Sequence, residues 1–144
     1  MFEFCDFGQF QPKTDPPSAE DDRAYASILD IFFRSLFTVK ERDSEQFKRI
    51  KELRAAEPLP RREALKHFLD ILEKGDLRDR LSSVICPVQF ITGGEDYICP
   101  KPIMDWVAEH AHNARFDFIG GCGHLPFLTE TKEYNRLLED FLMS

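Results

Sequence analysis

With 144 residues, 42% of them hydrophobic and 31% charged, the chain has the length and balance of one globular domain with its own core. A net charge of −7 leaves no general basic footprint for nucleic acid, and no apolar run approaches the roughly 18 residues of a membrane span. No basic segment followed by an apolar one opens the N-terminus, so a cytoplasmic protein without nucleic-acid or membrane partners is expected.

Residues 1–18 are aromatic and then proline-rich, without a sustained period, and read as an irregular start. Ser18 is placed to cap a helix whose first turn carries Glu20 and Asp21, where acidic side chains favour the positive dipole end. Tyr25, Ile28, Leu29, Phe32, Phe33, Leu36 and Phe37 follow at i, i+3, i+4 spacing and predict a helix to about Val39. A second helix is expected from Ser44, with Phe47, Ile50 and Leu53 on one face, stopping before Pro58. Ala64, Leu65, Phe68, Leu69 and Leu72 mark a third, capped by Gly75, and a short helical turn is expected over 76–82.

The pattern then changes. Pro87 to Thr92 is a β-branched and aromatic run bounded by proline and paired glycines, hence a buried strand. Ile103 to His110 reads as a helix with Pro102 in its first turn, Arg115 to Ile119 as a second strand, and Thr131 to Leu142 as a last helix. Strand–helix–strand–helix is the grammar of parallel α/β architecture, so the chain divides near residue 80 into a helical part, 19–80, and an α/β part, 81–144.

From Arg34 to Arg62, nine basic residues (Arg34, Lys40, Arg42, Lys48, Arg49, Lys51, Arg54, Arg61, Arg62) face five acidic ones (Glu41, Asp43, Glu45, Glu52, Glu57). This locally positive stretch is either a solvated helix face or a docking site for an acidic partner. Cys5, Cys86, Cys99 and Cys122 form no C-x-x-C pair, and the four histidines do not combine with them at zinc-ligand spacing. Reduced thiols, no metal and no cofactor are expected.

Both strands run into glycine-rich loops that carry one polar residue suited to catalysis: Asp96 in GGEDYICP and His124 in GGCGHLPF. In open parallel sheets ligands bind beyond the carboxyl ends of the strands. If the two strands are neighbours, the carboxylate of Asp96 accepts a hydrogen bond from the His124 Nδ1–H, leaving Nε2 as a general base.

These loops, 28 residues apart from acid to histidine and followed by a helix ending in LLEDFL, resemble those of the α/β-hydrolase superfamily. Gly93, Asp96, Ile98 and Pro100 fill the pattern of its acid loop, and Gly121, Gly123, His124 and Phe127 that of its histidine loop. The segment AAEPLPRREALKHFLDILEKGDLRDRLSSVICPV is similar to the end of the helical lid and its return to the core in the carboxylesterases of biotin synthesis that act on pimeloyl-[acyl-carrier protein] methyl ester. The resemblance covers residues 20–144. It implies a lid over 19–80, the C-terminal part of a hydrolase core over 81–144, and a Ser-His-Asp mechanism using His124 and Asp96. It further implies an acyl pocket lined by Phe32, Phe33, Phe37 and Phe127, with Phe47 among the same lid aromatics, although simple helix packing explains the lid phenylalanines equally well. Lys48, Arg49, Arg54, Arg61 and Arg62 would meet the carrier protein.

The nucleophile of such an enzyme sits on a G-x-S-x-G elbow before the acid and the histidine. Ser18, Ser27, Ser35, Ser44, Ser82, Ser83 and Ser144 lie in no such motif. Cys122 and Cys99 read as small buried fillers rather than substitutes. The chain is therefore expected to be a truncated product or a piece of a larger enzyme, inactive alone, with a missing N-terminal half as its partner. Other hydrolases of the superfamily (lactonase, C–C hydrolase, aminopeptidase) and a non-catalytic binding module stay open.

Overall fold

The computed structural model describes residues 19–144, so the irregular start and the Ser18 cap lie outside the described residues. The helical part comprises α1 (Ala19–Ser35), α2 (Val39–Arg42), α3 (Glu45–Ala56), α4 (Arg62–Lys74) and α5 (Arg78–Leu81). The α/β part follows as β1 (Val88–Gly93), α6 (Lys101–His110), β2 (Ala114–Ile119), α7 (Pro126–Thr129) and α8 (Thr131–Leu142).

Helix α1 buries Tyr25, Leu29 and Phe33, one residue per turn on a single face. It stops at Ser35, four residues before the expected end, because the chain needs a turn here. The Leu36 and Phe37 amides fold back onto the Phe33 and Arg34 carbonyls, and Thr38 goes extended to cap α2. Thr38 and Glu41 form a capping box, each side chain accepting from the other's backbone amide. Apolar periodicity runs through this break, since Leu36 and Phe37 still face inward, and so masks it.

Ser44 caps α3 by accepting from the Phe47 amide at 3.1 Å. Phe33, Phe37 and Phe47 then pack as one aromatic cluster, with ring centroids 5.2, 5.8 and 4.9 Å apart. Leu53, expected on the buried face of α3, is exposed. Two arginines tie the outer helices to α1. Arg54 pairs with Asp30 at 3.4 Å and lies over the Phe33 ring, while Arg62 pairs with Asp22 at 2.7 Å and lies over Tyr25. The Tyr25 hydroxyl donates to the Pro60 carbonyl at 2.7 Å. Gly75 ends α4 with a negative φ of −72°, not in the left-handed cap conformation. Its glycine identity answers a close approach instead: a Cβ would stand 2.6 Å from the Ile71 carbonyl oxygen.

Strands β1 and β2 pair in parallel, Val88 opposite Ala114 through Gly93 opposite Ile119, with α6 as the crossover. One sheet face packs on α8: Ile119, Cys122 and Leu137 form a buried cluster with Ile91 and Tyr134 against it. The Gln89 side-chain amide crosses from the strand to the Leu137 carbonyl at 3.0 Å and to Asp117 at 2.8 Å. On the opposite face Phe90 and Phe116 stack at 4.9 Å. β1 is half-buried rather than buried, because only this one partner strand lies beside it among the described residues. No helix among these residues is long and apolar enough to cross a membrane.

Candidate functional site

The two glycine-rich loops meet at the carboxyl end of the sheet. The parallel register sets Gly93 beside Ile119, so the chain leaves both strands at the same level. The Gly94 amide donates to the Ile119 carbonyl at 2.8 Å and the Glu95 amide to the Cys122 carbonyl at 2.9 Å. The second loop crosses directly over Gly93, where a Cβ would stand 1.9 Å from the Gly123 carbonyl oxygen and 2.3 Å from that of Cys122. Only glycine permits this crossing. Gly121 serves a different need, with a φ of +70° in the left-handed region that turns the loop back over the strand ends.

That crossing brings Asp96 and His124 together, with Oδ2 and Nδ1 at 2.9 Å. The acid is dry and the base is open: 4% of the Asp96 side chain is exposed against 31% of the His124 side chain. Asp96 Oδ1 accepts the Ile98 and Cys99 amides at 2.8 and 2.9 Å, so the loop that follows β1 curls around the carboxylate. Burial alone would push the Asp96 carboxyl upward. The bonds from His124, Cys99 and Ile98 outweigh it and hold the group below the usual aspartate range. The imidazole is thereby fixed by an ionised carboxylate on one nitrogen, and Nε2 has no hydrogen-bond partner among the described residues.

Cys122 is fully buried beneath the loop, its thiol 3.2 Å from the Thr129 hydroxyl, and burial pushes it up to about 12. It packs in the cluster with Ile119 and Leu137. Cys99 is half-buried, its thiol also raised by burial and by the neighbouring Asp96 charge. The donor atoms of Asp96, Cys99 and His124 lie within 4.8 Å of one another, a grouping able to hold a metal ion. Both Asp96 oxygens are already taken by two amides and the imidazole, and that pairing accounts for the cluster.

Of the pocket aromatics read from the sequence, Phe33 and Phe37 are buried in the helical cluster with Phe47. Phe32 is partly exposed on α1, and Phe127, half-exposed, meets the Tyr134 ring edge-on at 6.1 Å. A cleft of about 650 Å³ opens between the α1–α2 turn and the acid loop, lined by Phe37, Thr38, Lys40, Arg42, Glu95 and Tyr97 among others. It adjoins Asp96 in sequence but is lined by neither Asp96 nor His124. Of the basic residues read from the sequence, Arg54 and Arg62 pair with Asp30 and Asp22 and Lys48 with Glu45, while Arg49 and Arg61 stand exposed.

A contact absent from the sequence reading joins the helical part to the histidine loop. The His124 amide donates to the Leu36 carbonyl at 2.8 Å, and the Gly123 amide to Glu41 Oε2 at 3.0 Å. The T-x-x-E spelling of Thr38–Glu41 was its one sequence signal, hidden inside an unbroken apolar period.

An Asp–His pair set by loops at the carboxyl end of parallel strands, with a helical segment packed over it, is the arrangement of an α/β-hydrolase fold. Comparison with known structures agrees. The chain superimposes on MGS-M2, an α/β hydrolase from a Medee basin deep-sea metagenome library, with a TM-score of 0.67 and 20% identity, over 83% of this chain and 45% of the other. No family model matches the chain. Among curated proteins it is 39% identical over 66 residues to a proline iminopeptidase of Lactobacillus delbrueckii subsp. lactis, covering 46% of this chain and 22% of that one. It is 38% identical over 82 residues to the pimeloyl-[acyl-carrier protein] methyl ester esterase of Nitrosomonas europaea, covering 57% and 32%. With the esterase of the same name from Xanthomonas oryzae pv. oryzae it shares 29% over 125 residues, covering 87% and 49%. The chain carries part of the α/β-hydrolase fold. It spans between about a fifth and a half of the length of these curated relatives.

Proposed function

We propose that His124 and Asp96 are the base and the acid of a Ser-His-Asp hydrolytic triad in an enzyme that cleaves carboxylic esters. The observation that carries this is the 2.9 Å Nδ1–Oδ2 bond to a carboxylate that also accepts two backbone amides, with Nε2 left open. In such a site Nε2 takes the proton of a serine hydroxyl as it attacks the ester carbonyl, then passes it to the leaving alcohol. Asp96 holds the tautomer and stabilises the imidazolium, and His124 next activates water to release the acid. The sequence holds no G-x-S-x-G, so the serine would come from outside these 144 residues.

Pimeloyl-[acyl-carrier protein] methyl ester is the substrate that the named esterases favour, and the likeness to the Xanthomonas oryzae relative extends through most of the chain. A helical part acting as lid, with Arg49 and Arg61 outward for an acidic carrier, fits that reading. The proline iminopeptidase, at similar identity, favours a second: cleavage of an N-terminal prolyl amide by the same pair.

The test is to combine the chain with an N-terminal half bearing G-x-S-x-G and assay pimeloyl methyl esters, p-nitrophenyl esters and prolyl anilides. Ester turnover that falls about a thousand-fold or more in His124→Ala supports the proposal. Turnover of prolyl anilides alone favours the second reading. A folded assembly inert toward all three sinks the triad.

A further inference from the structure

We propose that Glu41 is a positioning residue for the histidine loop: the α1–α2 turn grips the backbone of Gly123 and His124 and so sets where the imidazole stands. The inference rests on the triad reading only for what that position is used for.

A capping box needs little from its glutamate. It closes on the cap residue's own amide, and the carboxylate ordinarily stays in solvent. Here Glu41 is buried, and its Oε2 accepts two backbone amides at once, Thr38 at 2.7 Å and Gly123 at 3.0 Å. The second donor lies 82 residues away, on the loop that carries His124. The adjacent amide, that of His124 itself, donates to Leu36 at the other end of the same turn. Two consecutive amides of the base loop are thus held by one six-residue stretch of the helical part, Leu36 to Glu41, with a charge-assisted bond at one of them.

Gly123 shows how closely the two surfaces fit. Its φ is not positive, so backbone freedom is not its reason. A Cβ there would stand 2.7 Å from the Leu36 carbonyl oxygen, 2.9 Å from Glu41 Oε2 and 3.2 Å from Phe37 Cα. The last glycine of GGCGH is small because the α1–α2 turn lies against it. Burial disfavours the charge of the Glu41 carboxylate and Oε1 has no partner at hydrogen-bond geometry among the described residues, but Thr129, Thr38 and Cys122 outweigh the burial and hold the carboxyl below the usual glutamate range. Capping alone would not require a buried anion, whereas two amides converging on one oxygen make use of it.

The experiment is residue-resolved amide exchange by NMR on the 144-residue chain. Glu41→Ala is expected to speed exchange at Gly123 and His124 about 10- to 100-fold, with the β1–β2 ladder amides unchanged. Glu41→Gln, which keeps an oxygen acceptor on a side chain of equal length, is expected to restore most of the protection, leaving about a 3- to 10-fold effect. A residue that merely stabilised the fold would raise all amides together. Unchanged exchange at Gly123 and His124 in both variants overturns the proposal, as does uniform acceleration in Glu41→Gln. Should Glu41→Ala fail to fold, Glu41→Gln decides alone. The readout involves no catalysis: intact protection beside an inert His124 would sink the triad reading only.

Discussion

Replacing Gly93 by alanine tests whether the crossing of the two loops builds the site. A Cβ at this position lies 1.9 Å from the Gly123 carbonyl oxygen and 2.3 Å from that of Cys122, where ordinary contact begins near 3.4 Å. Both obstacles are backbone, so no side chain can swing aside, and the loops must part by about 1.5 Å. That displacement would stretch the Glu95–Cys122 amide bond and the Asp96–His124 bond, each 2.9 Å, beyond hydrogen-bond reach. Overpacking costs about 1–3 kcal/mol, and each lost hydrogen bond about 1 kcal/mol, more for the charged one. The expected loss is about 3–5 kcal/mol, a large share of a small domain's stability. Urea unfolding reads it as a midpoint about 2–3 M lower, for a slope near 1.5 kcal/mol per molar. Gly120→Ala is the control: no described residue lies within 4 Å of its Cβ and its φ is not positive, so a change below about 0.5 kcal/mol is expected. Should Gly93→Ala unfold within about 0.5 kcal/mol of the parent chain, the loops are not in contact as described.

Two further outcomes follow from the buried groups. Asp96 and Glu41 both titrate below their ordinary values of 3.8 and 4.5 in the folded chain, so the unfolded chain binds protons first as acid is added. Their contribution to stability is complete above about pH 5 and lost as pH falls through the folded values; Asp96→Asn should flatten the fall in urea midpoint between pH 5 and 3, and an unchanged slope would contradict the assignment. Among the described cysteines, a thiol reagent at pH 8 should label exposed Cys86 quickly, half-buried Cys99 slowly and Cys122 only on unfolding, since its thiol is buried and pushed up to about 12. Mass-spectrometric mapping checks the order, and early labelling of Cys122 would contradict the buried cluster.

Much of the architecture was legible because its causes are local. The period of α8, the Ser44 cap of α3 and the proline- and glycine-bounded strands each depend on residues within a turn or two. Asp96 and His124 stood out for the same reason, as single polar residues in glycine-rich loops after strands. The break between α1 and α2 did not, because the inward-facing Leu36 and Phe37 continue the helical period across a turn. Phe33 and Phe37 were equally ambiguous, since an aromatic face has the same spacing whether it meets a ligand or another helix. The structure puts them against Phe47.

By itself, then, the sequence determined the order of elements, the parallel α/β grammar and the two loops suited to an acid and a base. Tertiary structure alone decided which glycines serve φ and which serve contact. Gly121 turns the chain, whereas Gly93 and Gly123 make room for segments about 29 and 82 residues away. It also decided that Glu41, outwardly one more charge in a basic stretch, faces inward to the histidine loop. Propensity and period act between neighbours along the chain, while a close backbone crossing or a buried carboxylate shared by two amides exists only once distant segments have packed.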